Sequence, residues 1–174
     1  MGGASMNDFS TLLGLAQLAI GLLGVSGIVA VFLTARPIGS LDSARFLTIV
    51  ATGCLVAFLA FVPVWLNRHF ATDVNIWQVG SGIALVMSIF VNLLVGAFAH
   101  TSFKQVAQSH SGTHLIARVG AGLLTLIIIL LMFANILSWP VESNATVYEI
   151  MLFVGLVQMA ISFASLVLSD DHEA

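Results

Sequence analysis

Residues 10–34 read STLLGLAQLAIGLLGVSGIVAVFLT, and this stretch decides what kind of protein the chain is. It carries no charged residue and no proline. An α-helix needs about 20 apolar residues to cross a hydrocarbon core of about 30 Å, and this stretch is longer than that. Because lipid offers the backbone no hydrogen-bond partners, a segment of this kind must cross as a helix. The stretch therefore predicts a transmembrane helix.

Two stripes of small residues run along this predicted helix. The first contains one amide and consists of Gly14, Gln17, Gly21 and Gly24. The second lies further round the helix and consists of Ala16, Ala19, Ser26, Gly27 and Ala30. In lipid, small residues let helix backbones approach closely, which favours association by packing. We therefore expect this helix to be the central one, with both stripes buried against protein.

The composition of the whole chain also indicates a membrane protein. Of its 174 residues, 59% are hydrophobic and only 7% are charged, whereas a soluble domain carries about 25% charged residues. So few charges cannot cover a water-facing surface, and residues 1–174 are predicted to form one transmembrane domain. The formal net charge of −3 argues against nucleic acid as a partner.

Four further apolar runs follow the first, each close to the length that a crossing needs. They span residues 44–66, 76–99, 114–138 and 147–168. Together with residues 10–34 they predict an all-α bundle of five transmembrane helices joined by short connectors. Pro63 lies near the end of the second run, and we expect it to kink or end that helix because proline has no backbone N–H.

The basic residues predict the orientation of this bundle. Arg36 and Arg45 flank the first connector, and Lys104 and Arg118 flank the third. Cytoplasmic loops are rich in lysine and arginine, so we predict the N-terminus outside and the C-terminus in the cytoplasm. Four of the five basic residues then face the cytoplasm. We expect a multi-pass protein of the cell membrane, in a bacterium the inner membrane, with the lipid bilayer as a partner.

Four aromatic residues fall at the outer ends of helices in this orientation. They are Trp65, Trp77, Trp139 and Tyr148. Tryptophan and tyrosine are enriched where a membrane meets water, normally at both surfaces, so these four are expected at the outer surface. Nothing in the sequence explains why they are confined to one side.

Polar residues inside the predicted spans gather on one face of each helix, and several lie near mid-depth. The stripes of helices two to five include Thr48, Thr52, Ser88, Asn92, Thr125 and Gln158. Such groups either hydrogen-bond between packed helices or line a water-filled path, through the protomer or around a symmetry axis. Gln17 and Gln158 are costlier to bury unpaired, so for them the two interpretations have equal weight.

The leading functional hypothesis is a homo-oligomeric pore or channel for ions or small solutes. Five helices enclose little space, and the first helix has more small surface than one set of neighbours needs, so we expect several copies to assemble. The residues nearest the axis would be Gln17, Gly21 and Gly24. The third or fifth helix would supply Ser88, Asn92 or Gln158 to the lining.

Two other hypotheses are weighed against the pore. One is a non-catalytic accessory or scaffolding subunit that docks another membrane protein through its small faces. The other is a haem-binding electron-transfer protein, because His100 and His114 end adjacent helices at the same membrane face. These two histidines are weak metal candidates against solvated loop histidines, and no cofactor is predicted. The chain has no zinc-protease or phosphate-loop motif, so we do not expect an enzyme.

Overall fold

The computed structural model describes residues 6–33, 40–70, 75–106, 112–137 and 144–168. Within these residues, the regular elements are five α-helices. They are α1 Met6–Leu33, α2 Ser40–His69, α3 Ile76–Val106, α4 Gly112–Ile136 and α5 Asn144–Leu168. The prediction of an all-helical chain is confirmed, and each helix overlaps one of the apolar runs.

Four of these helices contain segments long and apolar enough to cross a membrane. The segments are Asp8–Val29, Phe46–His69, Ile76–Ala97 and Asn144–Ser165. In α4 the described residues contain a shorter apolar segment, Gly122–Ile136. A fifth crossing and the orientation of the termini stay predictions. Arg36 and the side chains of Arg45, Lys104 and Arg118 lie outside the described residues.

Successive helices run antiparallel, so the start of α1, the end of α2, the start of α3, the end of α4 and the start of α5 meet. We call this the N-terminal end of the bundle. The Gln78 side-chain amide donates there to the Ile136 carbonyl at 3.3 Å, which joins α3 to α4. The rings of Trp77 and Tyr148 lie 5.8 Å apart, which joins α3 to α5.

The centre of the bundle is formed by α2 and α5 rather than by α1. Helix α2 contacts α1, α3 and α5, and α5 contacts each of the other four helices. Within the described part of the chain, α1 contacts α2 and α5 but neither α3 nor α4. Because α2 and α5 also contact each other, α1 lies at the edge of the bundle, against both. The prediction of a central α1 is wrong.

Helix α1 packs through a face of leucine, alanine and serine. The buried residues of this face are Leu12, Leu15, Ala16, Ala19 and Ser26. Their spacing of three and four residues returns to the same side of a helix. The second predicted stripe is therefore buried at Ala16, Ala19 and Ser26, whereas the side chain of Ala30 lies outside the described set. The first stripe is not buried within the chain, because leucines occupy the positions that meet α2 and α5.

The glycines that bring helices together lie on α2 and α5. A Cβ at Gly53 of α2 would lie 2.7 Å from the Leu23 side chain of α1. A Cβ at Gly155 of α5 would lie 2.9 Å from Val56 of α2. A larger residue at either position would push side chains or helices apart, whereas nothing lies within 4 Å of a Cβ built at Gly21.

Pro63 lies inside α2, which continues to His69. Proline has no N–H, so the carbonyl of Leu59, four residues earlier, loses its partner within the helix. The Tyr148 hydroxyl of α5 donates to this carbonyl at 2.8 Å. The sequence predicts that Pro63 kinks or ends the second helix. It does not end the helix, and a side chain of a neighbouring helix replaces the missing hydrogen bond.

Trp77 and Tyr148 belong to the core rather than to a membrane surface. Tyr148 is 0% exposed and Trp77 is 3% exposed, whereas Trp65 is 55% exposed. A Cβ at Gly80 would lie 3.3 Å from the Tyr148 ring, so this glycine makes room for the ring. The expectation of surface aromatics is wrong for Trp77 and Tyr148, and their packing against each other explains why they share one end. Trp139 lies outside the described residues.

Candidate functional site

A polar cavity lies among α2, α3, α4 and α5, near the middle of the bundle. It has a volume of about 70 Å³. One water molecule needs about 10–15 Å³ of such space, so the cavity has room for several. Its polar lining consists of Thr48, Thr52, Ser88, Asn92, Thr125 and Gln158. We refer to this space as the polar cavity.

The depth of the cavity follows from the helix that carries Ser88. This serine lies about 18 Å along α3 from Ile76, at 1.5 Å per residue. The apolar segment of α3, Ile76–Ala97, is about 33 Å long by the same measure. Ser88 and its neighbours in the cavity are therefore near the midplane of any membrane that this segment crosses.

Helical spacing explains why the polar residues converge. Thr48 and Thr52 are four residues apart on α2, as are Ser88 and Asn92 on α3, so each pair shares a helix face. Gln158 lies three residues after Gly155 on α5, and both line the cavity. The polar residues of four helices thus face one space.

Two side-chain amides have fixed partners at the cavity. The Gln158 Nε2 atom donates to the Thr125 Oγ1 atom at 3.2 Å, which joins α5 to α4. The Asn92 Nδ2 atom donates to the Ser88 carbonyl of its own helix at 2.8 Å. Among the described residues, neither amide oxygen accepts a hydrogen bond. The amides thus offer unpaired acceptors at the cavity wall.

The cavity carries no formal charge on its described lining. The rest of that lining is aliphatic or sulfur-containing, with Val91, Val95, Ile128, Met132 and Met151 among its members. No aspartate, glutamate, lysine, arginine or histidine occurs among the described lining residues. The described lining can therefore hydrogen-bond a small molecule, and the groups that it offers for this are hydroxyls and amides.

The six residues proposed from the sequence fall into two separate groups. Ser88, Asn92 and Gln158 meet at the polar cavity. The other three, Gln17, Gly21 and Gly24, are exposed on α1, which contributes no described residue to the cavity. One chain does not bring the two groups together, and a position of α1 near a symmetry axis stays a prediction.

A second polar cluster, at the N-terminal end, contains a residue that the sequence analysis missed. The Asn135 Nδ2 atom donates to the Ser81 Oγ atom at 2.7 Å, and Asn135 is 1% exposed. Its Oδ1 atom is buried without a hydrogen-bond partner among the described residues. The available signal was one amide inside the apolar run of α4, opposite a serine of α3. We call Leu59, Trp77, Ser81, Asn135 and Tyr148 the aromatic junction.

The haem hypothesis depends on side chains outside the described set. His100 lies in α3 and His114 in α4, but neither side chain is among those whose placement is described. Among the described side chains, no group of three or more histidine, cysteine, aspartate or glutamate residues could hold a metal ion.

Comparison of the chain with protein families, with curated proteins and with solved structures finds no match. Two features of this chain bear on its function, the polar cavity and the exposed face of α1.

Proposed function

We propose that the protein is a membrane channel for small solutes, with the polar cavity as part of the solute path inside each chain. The observation that carries this proposal is the convergence of six hydroxyl and amide side chains, from four helices, on one space near mid-depth. Polar groups are costly in hydrocarbon and are typically kept there for packing or for a path. The open space at this site favours a path.

The pattern of hydrogen bonds supports a path over packing. Polar residues that serve packing bond directly across the helix interface, as Asn135 and Ser81 do. At the polar cavity, Asn92 bonds only within its own helix, and its oxygen has no described partner. Gln158 and Thr125 form a single direct bond between helices. The amide oxygens of Asn92 and Gln158 are thus available to a solute.

The proposal includes five crossings, with the N-terminus outside. Helix α4 contacts both α3 and α5, whose apolar segments are long enough to cross, so it supports a fifth crossing beside them. The distribution of arginine and lysine supports the orientation. Labelling of single introduced cysteines from either side of sealed vesicles tests both points. Labelling of the two termini from the same side would contradict an odd number of crossings.

Assembly of several copies is proposed through the exposed face of α1. Gln17 is exposed on a segment that is otherwise apolar enough to cross a membrane. An amide both donates and accepts, so Gln17 of one copy can pair with Gln17 of another and be removed from lipid. Open space at Gly21 and Gly24 lets a second helix approach. Mass measurement of the detergent-extracted protein tests this part.

The central experiment compares two glutamine substitutions of the same kind. Gln158→Leu removes the amide of the polar cavity, and Gln17→Leu removes the amide of the exposed α1 face. We expect Gln158→Leu to reduce solute flux into liposomes, while Gln17→Leu reduces assembly and leaves flux per chain within about twofold. The reverse outcome would favour a path around a symmetry axis. Absence of flux from the wild-type protein would exclude the channel altogether.

An accessory subunit is the second candidate, and the same α1 face favours it. A stripe that exposes an amide and open glycines in a membrane-spanning segment is also suited to docking a different membrane protein. Extraction in mild detergent separates the candidates. A symmetric assembly of this chain alone favours the channel, whereas constant co-purification of another membrane protein in fixed ratio favours the accessory role.

A further inference from the structure

We infer that the polar cavity selects a small uncharged solute rich in N–H donors, of the chemical class of urea and the simplest amides. The inference rests on the proposed channel function and names the substrate class for the same site. Three properties of the wall lead to it: the polarity of its hydrogen-bonding groups, its lack of charge and its size.

Two amide oxygens of the wall, those of Asn92 and Gln158, accept no hydrogen bond from a described residue. Its only described N–H-bearing side chains are Asn92 and Gln158, and each already donates one hydrogen bond to protein. Neither amide oxygen accepts a bond from a described residue, and each has two lone pairs. A solute that brings N–H groups can therefore donate to these two oxygens, on the half-buried Gln158 and the exposed Asn92, which otherwise accept no bond from the described residues.

The lack of charge selects against ions. Removal of a cation from water is compensated in known pores by rings of carbonyl oxygens or by carboxylates. The described wall provides two amide oxygens and no carboxylate. An anion would meet the unpaired amide oxygens and no described lysine or arginine. A neutral solute avoids both difficulties.

The volume of the polar cavity and the positions of its polar groups also favour a small solute. A volume of about 70 Å³, with room for several waters, holds a solute of a few heavy atoms. Two N–H groups of urea can donate to the oxygens of Asn92 and Gln158, which both line the cavity. Its single carbonyl can accept from a hydroxyl of Ser88 or Thr52, both of which line the cavity. Aliphatic side chains such as Val95 and Ile128 cover the rest of the wall.

The experiment measures volume changes of liposomes that contain the full-length protein, after rapid mixing with urea, glycerol, potassium chloride or a water-drawing osmolyte. Rates from protein-free liposomes are subtracted. We expect urea to enter at least about fivefold faster than glycerol, roughly the value of one hydrogen bond. Asn92→Leu and Gln158→Met should each lower the urea rate about fivefold or more. The lipid-facing neighbour Leu93 supplies the control Leu93→Ile, which should leave the rate unchanged.

Two failures of this experiment have different meanings. If water passes but urea enters no faster than glycerol, or if potassium enters faster than urea, the inferred solute class is wrong and the channel survives. If no solute and no water passes above the protein-free rate, the channel itself is wrong. Circular dichroism and elution volume verify that each variant is folded. Urea rates that are unchanged in both folded cavity variants would also overturn the inference.

Discussion

At the N-terminal end of the bundle, Asn135 donates to Ser81 at 2.7 Å, and Tyr148 donates to the Leu59 carbonyl at 2.8 Å. Nearer the middle, Asn92 donates within its own helix, and a cavity of about 70 Å³ separates the polar faces. The aromatic junction and the polar cavity are both built from amides and hydroxyls on facing helices. One is closed and the other is open.

The difference between them comes from the neighbours of the polar groups rather than from the polar groups themselves. In the aromatic junction, the rings of Trp77 and Tyr148 fill the space between α3 and α5. At the polar cavity, the corresponding wall positions are occupied by small or β-branched residues such as Gly155, Thr125 and Val95. The comparison shows that polar content alone does not distinguish a packed helix interface from an open cavity, because the size of the adjacent side chains decides.

The largest effect on the free energy of unfolding is expected when an aromatic ring is removed from the aromatic junction. Tyr148→Ala removes a fully buried ring and should lower the free energy of unfolding by about 3–5 kcal/mol. Tyr148→Phe keeps the ring and removes only the hydrogen bond to Leu59, so it should cost about 1 kcal/mol. Thermal unfolding in detergent micelles, followed by circular dichroism, measures both. Equal losses in the two variants would mean that the ring does not close this end.

An intermediate effect on the free energy of unfolding is expected from substitution of Asn135 or Asn92. These two residues allow a direct comparison, because each region contains one of them. Asn135→Ala should lower the free energy of unfolding by about 1–2 kcal/mol, because a buried hydrogen bond between helices is lost. Asn92→Ala should change the free energy of unfolding by less than about 0.5 kcal/mol, because its bond lies within one helix and the residue is exposed.

For solute flux we expect the opposite order, with the larger effect from Asn92→Ala and the smaller from Asn135→Ala. We expect Asn92→Ala to reduce solute entry into liposomes and Asn135→Ala to leave it unchanged in the fraction that is folded. Unfolding and flux measured on the same preparations provide the test. If Asn135→Ala alters flux as strongly as Asn92→Ala, the path extends into the aromatic junction and the distinction between the two regions is lost.

The smallest effect concerns the link between Pro63 and Tyr148. Pro63→Ala restores the N–H that the Leu59 carbonyl lacks, so the Tyr148 hydroxyl becomes less important. The cost of Tyr148→Phe should therefore fall by about 0.5–1 kcal/mol in the Pro63→Ala background. A double-mutant cycle of unfolding free energies measures this coupling. A coupling of zero would mean that the tyrosine hydroxyl does not replace the missing bond.

The sequence was sufficient for the positions of the helices and for part of the site. An apolar run of about 20 residues is a property of one segment, so residues 76–99 and 147–168 predicted α3 and α5 without knowledge of their neighbours. The polar stripes with Ser88, Asn92 and Gln158 could also be read from single helices. In the structure these three residues line one cavity.

The sequence did not determine which face of a helix packs. Both stripes of α1 consist of small residues, and the choice depends on Gly53 and Met159 of other helices, which receive Leu23. The same limit applies to Tyr148, whose place at a helix start resembles that of a surface aromatic. Its inward position depends on Pro63 and Gly80, two residues far from it in the sequence. Which face of a helix is buried depends on residues of the neighbouring helices, so the sequence of one helix alone does not determine it.

Gly155 belongs both to the wall of the polar cavity and to the contact between α5 and α2. A methyl group added there would meet Val56, whose branched side chain has little freedom to move aside. The width of the cavity is consequently set by the distance between the backbones of α2 and α5. A larger residue at Gly155 would change that distance rather than fill the cavity. Under the proposed channel function, related chains would change their solute by exchange of wall amides and hydroxyls, while the width of the cavity stays the same.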